Sequence, residues 1–99
     1  MKIVRVQYTT TREYAVTNME NISNVADEVK RLNHPGIKYA AYLLPDGKTF
    51  FHFDQFENEE AHKVLMGLGS FKKFQTELKV SALEVEPEWD LLTIVAASY

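Results

Sequence analysis

The chain has 99 residues, 45% of them hydrophobic and 25% charged, with a formal net charge of −3 and no cysteine. That length makes one domain, spanning 1–99, which can bury about two-thirds of its unfolded surface. The acidic balance counts against nucleic acid and anionic membrane surfaces, which are met by Lys and Arg, and the missing thiols exclude disulfides, thiolate nucleophiles and Cys-ligated zinc.

Residues 3–10 are rich in β-branched side chains and alternate, with Val4, Val6 and Tyr8 on one face and Ile3, Arg5 and Gln7 on the other. This is the pattern of a strand. Residues 11–16 either extend it or loop away. Thr17 and Glu20 have capping-box spacing. Ile22, Val25, Ala26, Val29 and Leu32 then recur at helical spacing until Asn33-His34-Pro35-Gly36 stops the helix.

Residues 37–56 read as a hairpin around Leu44-Pro45-Asp46-Gly47-Lys48. Pro45 presets φ for a type I turn, and Gly47 can take the left-handed position that follows. That geometry pairs Leu44 with Lys48. It therefore predicts Tyr42 opposite Phe50, Ala40 opposite His52 and Lys38 opposite Asp54, the last an opposite-charge cross-strand pair. Asn58 is an N-cap with Glu59 and Glu60 in the first turn. Met66-Gly67-Leu68-Gly69 breaks that helix, and Ser70 is placed to cap a second segment with Phe71, Phe74 and Leu78 inward. The stretch 80–87 carries no clear pattern, and 91–98 is the last strand, apolar on both faces.

The order β-α-β-β-α-β defines an α+β fold, the ferredoxin-like sandwich, with a four-stranded antiparallel sheet and helices on one face. Phe51 and Phe53 point one way and Phe50 and Phe56 the other, so both faces of the sheet are apolar. The helices cover one face. The other is expected to be covered by a second copy of the chain, a homodimer joined through the sheet.

Two segments add a resemblance. Phe53-Asp54-Gln55-Phe56-Glu57-Asn58-Glu59-Glu60-Ala61, followed by Gly69-Ser70-Phe71-Lys72-Lys73-Phe74, resembles the dimeric α+β barrel superfamily and most of all its antibiotic biosynthesis monooxygenase branch. The resemblance implies two ferredoxin-like sheets closed face to face into a shared barrel, with the helices outside. It leaves the activity open, because the superfamily also holds haem-degrading enzymes and isomerases. In the haem-degrading members a histidine on the second helix ligates iron. This chain has Gln75 at the matching place, so the resemblance implies no haem.

His52 is the side chain of most chemical interest. By the predicted register it shares a face with Lys38, Tyr42, Phe50, Asp54 and Phe56, and Ala40 leaves space beside it. Such a histidine can act as a base near neutral pH, with Tyr42 as a donor and Asp54 to orient it. The plainer reading is a hydrogen-bonded histidine in the core or the dimer seam, with Asp54 paired to Lys38. His52, Asp54 and His62 have the composition of a two-His-one-carboxylate metal site. Nothing turns His62 toward the strand, however, and it reads as part of a solvated helix face. His34 reads as a turn residue. Tyr8, Tyr39 and Tyr42 can line a pocket for a planar ligand, and Trp89 can close it. RNA-recognition motifs share the topology, but the first strand lacks a stacking residue at its centre.

The leading expectation is a monooxygenase that uses no cofactor and no metal and acts on a small aromatic substrate, a phenol, quinol or anthrone. His52, Asp54 and Tyr42 would be catalytic, with Phe50, Phe56, Trp89 and Tyr39 as walls. The alternative is a non-catalytic dimeric protein that binds a small molecule in the same cavity. Both readings take the Phe50, His52 and Asp54 face to meet the helices. Lys2 and Arg5 interrupt the start too early for a signal peptide. The longest apolar run, 91–97, is far short of the roughly 20 residues of a membrane span. A cytoplasmic location is expected.

Overall fold

The computed structural model describes residues 1–99. Seven elements follow in order: β1 (Lys2–Thr10), α1 (Arg12–Leu32), β2 (Ile37–Leu43), β3 (Thr49–Phe56), α2 (Glu59–Gly67), α3 (Gly69–Val80) and β4 (Leu83–Leu92). The strands form one antiparallel sheet in the order β2-β3-β1-β4. The second helix of the expected pattern is present as two pieces, α2 and α3, broken at Leu68.

One face of the sheet builds the core. Tyr8, Phe50 and Phe56 pack with Val25 of α1, Leu65 of α2, and Phe71, Phe74 and Leu78 of α3. His52 and Asp54 lie on this same face and are buried, so the Phe50, His52 and Asp54 face does meet the helices. No helix covers the other face. There the Arg5 guanidinium lies 4.7 Å over the Phe51 ring, Phe51 and Phe53 have centroids 4.9 Å apart, and Tyr42 meets Phe53 edge-on.

The first helix begins two turns earlier than the capping-box spacing predicts. Thr11 is the N-cap, in extended backbone, and its side chain accepts a hydrogen bond from the Tyr14 backbone N–H at 3.1 Å. The helix therefore follows β1 with no loop, and it buries Ala15, Asn18 and Asn21 ahead of Val25. It ends as the sequence predicts. Asn33 takes the left-handed conformation at φ 52° and returns its N–H to the carbonyls of Val29 and Lys30.

The hairpin register differs by one residue from the prediction. Leu44 N–H donates to Thr49 O at 2.9 Å, so Thr49, not Lys48, stands opposite Leu44. The Asp46 carboxylate holds this wider turn by accepting from Lys48 N–H, Thr49 N–H and the Thr49 hydroxyl, with Gly47 at φ 76°. Tyr42 consequently pairs with Phe51, Ala41 with His52 and Tyr39 with Asp54. In a strand a slip of one exchanges the two faces. Tyr42 thus moves to the open face and Tyr39 joins His52. The expected Lys38–Asp54 pair does not form. Lys38 lies opposite Gln55, with its ammonium 5.6 Å over the Tyr99 ring.

The last strand also differs from its expected position, lying at Leu83–Leu92 instead of 91–98. The reason is tertiary. The end of α3 delivers the chain to the Thr10 end of β1, where Leu83 pairs with Thr10, and pairing runs on until β1 is exhausted near Ile3 and Leu92. The acidic run in this strand is tolerated at the sheet edge, where Glu84 pairs with Lys48 and Asp90 with Arg5. Pro87 falls where the register shifts, between the Gln7 and Thr9 pairings, as edge strands permit. Ser70 does not cap its own helix. Its N–H and hydroxyl both donate to Glu28 of α1, and these bonds hold the Glu28 carboxyl below its ordinary pKa.

Candidate functional site

A cavity of about 510 Å³ lies between the sheet and α3, within the range of small-molecule sites. Val6 and Tyr8 of β1 and His52 and Asp54 of β3 make its floor. Phe71, Phe74, Gln75 and Leu78 of α3 make its roof, and Leu83, Glu86 and Pro87 close one side. The strand alternation that puts residues 50, 52, 54 and 56 on one face accounts for the floor. The helical spacing of Phe71, Phe74 and Leu78 accounts for the roof.

The polar groups of the floor are ordered by a chain of hydrogen bonds that begins on α1. Asn18 Nδ2 donates to the Tyr8 hydroxyl at 2.8 Å, and that hydroxyl lies 2.8 Å from His52 Nε2. The His52 ring is further held by Tyr8 at 5.4 Å, Tyr39 at 6.1 Å and Phe74 at 5.5 Å between centroids. Burial among these rings lowers the His52 pKa to about 4. The imidazole is therefore neutral at physiological pH.

Asp54 is the outlier. It is 7% exposed, and its Oδ1 is buried with no hydrogen-bond partner. Burial raises its pKa to about 7, against the opposing pull of a backbone hydrogen bond from Ala40. The Tyr39 hydroxyl, directly across the hairpin from Asp54, is also buried without a partner. Desolvation and the nearby Asp54 charge both raise the pKa of the Tyr39 phenol, and Tyr8 is pushed the same way, chiefly by burial.

The structure thus brings together only part of the set expected from sequence. His52 and Asp54 face the cavity, and Tyr39 stands against His52. Phe50 stacks on Tyr8 and Phe56 on His62, both in the core of the same face but away from the cavity lining. Tyr42 is on the opposite face, 56% exposed. Trp89 lies opposite Val6 on the edge strand and is 65% exposed, outside the cavity wall. His62 is turned toward the sheet after all, against Phe56. No three His, Asp or Glu side chains gather closely enough to hold a metal ion. His34 accepts the Gly36 N–H in the turn, as expected. Gln75, standing where the resemblance implied a haem ligand would otherwise be, lines the cavity.

Asn18 was not among the sequence candidates. Its signal is a polar residue four positions before Ile22, on the stripe that carries Ile22 and Val25. That signal is legible only once the helix is started at Thr11.

The order βαββαβ, the antiparallel sheet and the one-sided helices define a ferredoxin-like α+β protein with a ligand-sized cavity under its second helical segment. Solved structures specify the type further. A protein described as an antibiotic biosynthesis monooxygenase superposes with a TM-score of 0.80 at 11% identity, over 97% of this chain and 100% of its own. Rv0793 from Mycobacterium tuberculosis matches with a TM-score of 0.80 at 11% identity, over 99% and 98%. A Bacteriodes thetaiotaomicron protein, provisionally named an antibiotic biosynthesis monooxygenase, matches with a TM-score of 0.85 at 14% identity, over 99% and 92%. The chain therefore has the fold of the antibiotic biosynthesis monooxygenase structures. No family model matches the sequence, and no curated protein matches it.

Proposed function

We propose that this protein is a monooxygenase that binds a small aromatic substrate, a phenol, quinol or anthrone, in the cavity between the sheet and α3. The observation that carries the reading is the floor of that cavity. The Asp54 carboxylate, with no protein partner at Oδ1, stands beside a neutral histidine, His52, under a roof of Phe71, Phe74, Leu78 and Gln75. Proton removal from an activated ring needs a positioned acceptor, donors for the resulting oxyanion and a pocket that excludes water. The substrate anion then passes an electron to dioxygen, and the two radicals combine at carbon. Loss of water leaves a carbonyl, so that one oxygen atom enters the product and the other leaves as water. The electrons come from the substrate, and the protein supplies the proton acceptor and the enclosure.

The same reading includes a homodimer. The open face carries Phe51, Phe53 and Tyr42 in contact with one another, and a second copy of this face is its natural cover. It also includes a cytoplasmic location, supported by the absence of cysteine.

The test is oxygen uptake with anthrone in air. One dioxygen consumed per anthraquinone formed, at a rate proportional to protein, is the expected result. Gln75→Trp, which fills the cavity from the surface of α3, should abolish the uptake. A rate no greater than the autoxidation of anthrone alone would end the proposal.

A second reading, a non-catalytic binder, is favoured by one observation: burial makes His52 a weak base at neutral pH, and Tyr8 already occupies its Nε2. An aromatic ligand recovered unchanged from the protein in air would decide for it.

A further inference from the structure

The polar atoms of the cavity floor do not have equal freedom. The Tyr8 hydroxyl has one proton and two neighbours. With the Asn18 amide oriented so that Nδ2 donates, Tyr8 receives that bond with its oxygen, and its own proton is assigned to His52 Nε2. A neutral imidazole that accepts at Nε2 carries its proton on Nδ1. His52 is therefore a donor at its remaining polar atom, and the acceptor position that a base needs is already used. Asp54 is in the opposite condition. Its carboxyl lines the cavity and receives a backbone hydrogen bond from Ala40, and its Oδ1 is left without a hydrogen-bond partner. Buried polar atoms are almost always paired, so an orphan of this kind marks the place of a ligand atom.

The geometry points to a division of labour in which Asp54 accepts the acidic proton of the ligand and His52, held by Asn18 and Tyr8, donates from Nδ1 to the ligand's oxygen. The inference rests on the reading of the cavity as an aromatic site and specifies the ligand within it. The ligand is a planar phenol or enol that brings an O–H donor to Asp54 and presents a second oxygen or the π face of its ring to His52. The two side chains are two residues apart on one strand face, about 7 Å along the strand, a span that a fused aromatic ring covers. In the proton transfer the O–H bond breaks, the proton passes to the Asp54 carboxylate, and the electron pair remains on the ligand. The raised pKa of Asp54, about 7 from burial, leaves it a substantially stronger base than an ordinary carboxylate, whereas His52 at about 4 is the weaker of the two. Asn18 and Tyr8 are positioning residues, acting through the imidazole.

The experiment is calorimetric binding of β-naphthol and its methyl ether at pH 8. The two share a ring, and only the first has a donor. The wild type should prefer β-naphthol about tenfold or more, the worth of a hydrogen bond to a charged acceptor. Asp54→Leu should still bind both and show no preference. Asp54→Asn, the closer replacement in shape, should keep a reduced preference. His52→Gln should weaken both compounds and leave the preference in place. Nitrogen NMR of the imidazole should find a single proton, on Nδ1. A preference that survives in Asp54→Leu, a preference lost in His52→Gln, or a proton on Nε2 would overturn the division of labour while leaving the aromatic site standing. If the wild type bound neither compound, the aromatic site itself would fail, and this inference with it.

Discussion

Replacing Asp54 with Asn should uncover a pH dependence of stability that the native protein conceals. The Asp54 carboxyl has a folded pKa of about 7 against an ordinary 3.8. Its contribution is fully present below about pH 4 and is lost as pH rises to 7, because the unfolded chain ionises first. The loss is about 4 kcal/mol over that window. His52 runs the other way. Its folded pKa of about 4 lies below the ordinary 6.5, so its contribution is present above pH 6.5 and is lost as pH falls to 4, by about 3 kcal/mol. Between about pH 4 and 6.5 the native state therefore holds one proton, on Asp54, and the unfolded state holds one, on the histidine. The two slopes, each about 1.4 kcal/mol per pH unit, cancel. Asp54→Asn removes one of them, and its stability should climb with pH across the window. His52→Gln should fall with pH by the same slope. The groups outside the cavity whose pKa values are lowered, Glu28, Asp46, Glu59 and His62, are common to all three proteins and drop out of the differences. The assay is urea unfolding from about pH 4.5 to 6.5 at fixed protein concentration. Parallel curves for the wild type and Asp54→Asn would refute the burial argument for this carboxyl.

Three further outcomes test separate parts of the structure. Asn18→Ala should lower stability by about 1–2 kcal/mol, measured by thermal or urea unfolding, because it removes the donor that fixes Tyr8 inside the core. Tyr42→Phe should leave the affinity for β-naphthol unchanged in calorimetry, since its hydroxyl lies on the face opposite His52. An effect as large as that of a cavity residue would contradict the hairpin register. Phe53→Glu should convert the protein to a monomer of 11.4 kDa in light scattering over a dilution series, whereas the wild type should persist at twice that mass. A wild type already monomeric would remove the proposed homodimer.

The candidate site was partly legible before the fold was known. His52 and Asp54 stand at i and i+2 of a strand rich in Phe, and alternation alone puts them together. Tyr39 and Tyr42 could not be assigned in that way, because a strand has two faces and the hairpin decides which one each residue joins. Pro45 and Gly47 are compatible with a three-residue loop. The Asp46 carboxylate instead gathers the backbone of Lys48 and Thr49 and widens the turn, and this one step transfers the tyrosine beside the histidine from position 42 to position 39. Asn18 was hidden by a similar local ambiguity. Two threonines, Thr11 and Thr17, can each start α1. The earlier one does so because β1 ends directly before it.

By itself the sequence determined the number and kind of elements, the βαββαβ order and the two-sided apolar character of β3. These follow from periodicity, capping residues and Gly-Pro punctuation, all of which act over a few residues. Only the tertiary structure decided the register of the hairpin, the start of α1 and the position of β4. The last case states the reason most clearly. Residues 91–98 have the stronger local preference for a strand, yet β4 is Leu83–Leu92, because β1 offers hydrogen-bonding partners only from Thr10 back to Ile3 and the chain leaves α3 at the Thr10 end. Local preference selects which segments can pair, and the geometry of the partner strand selects which of them do.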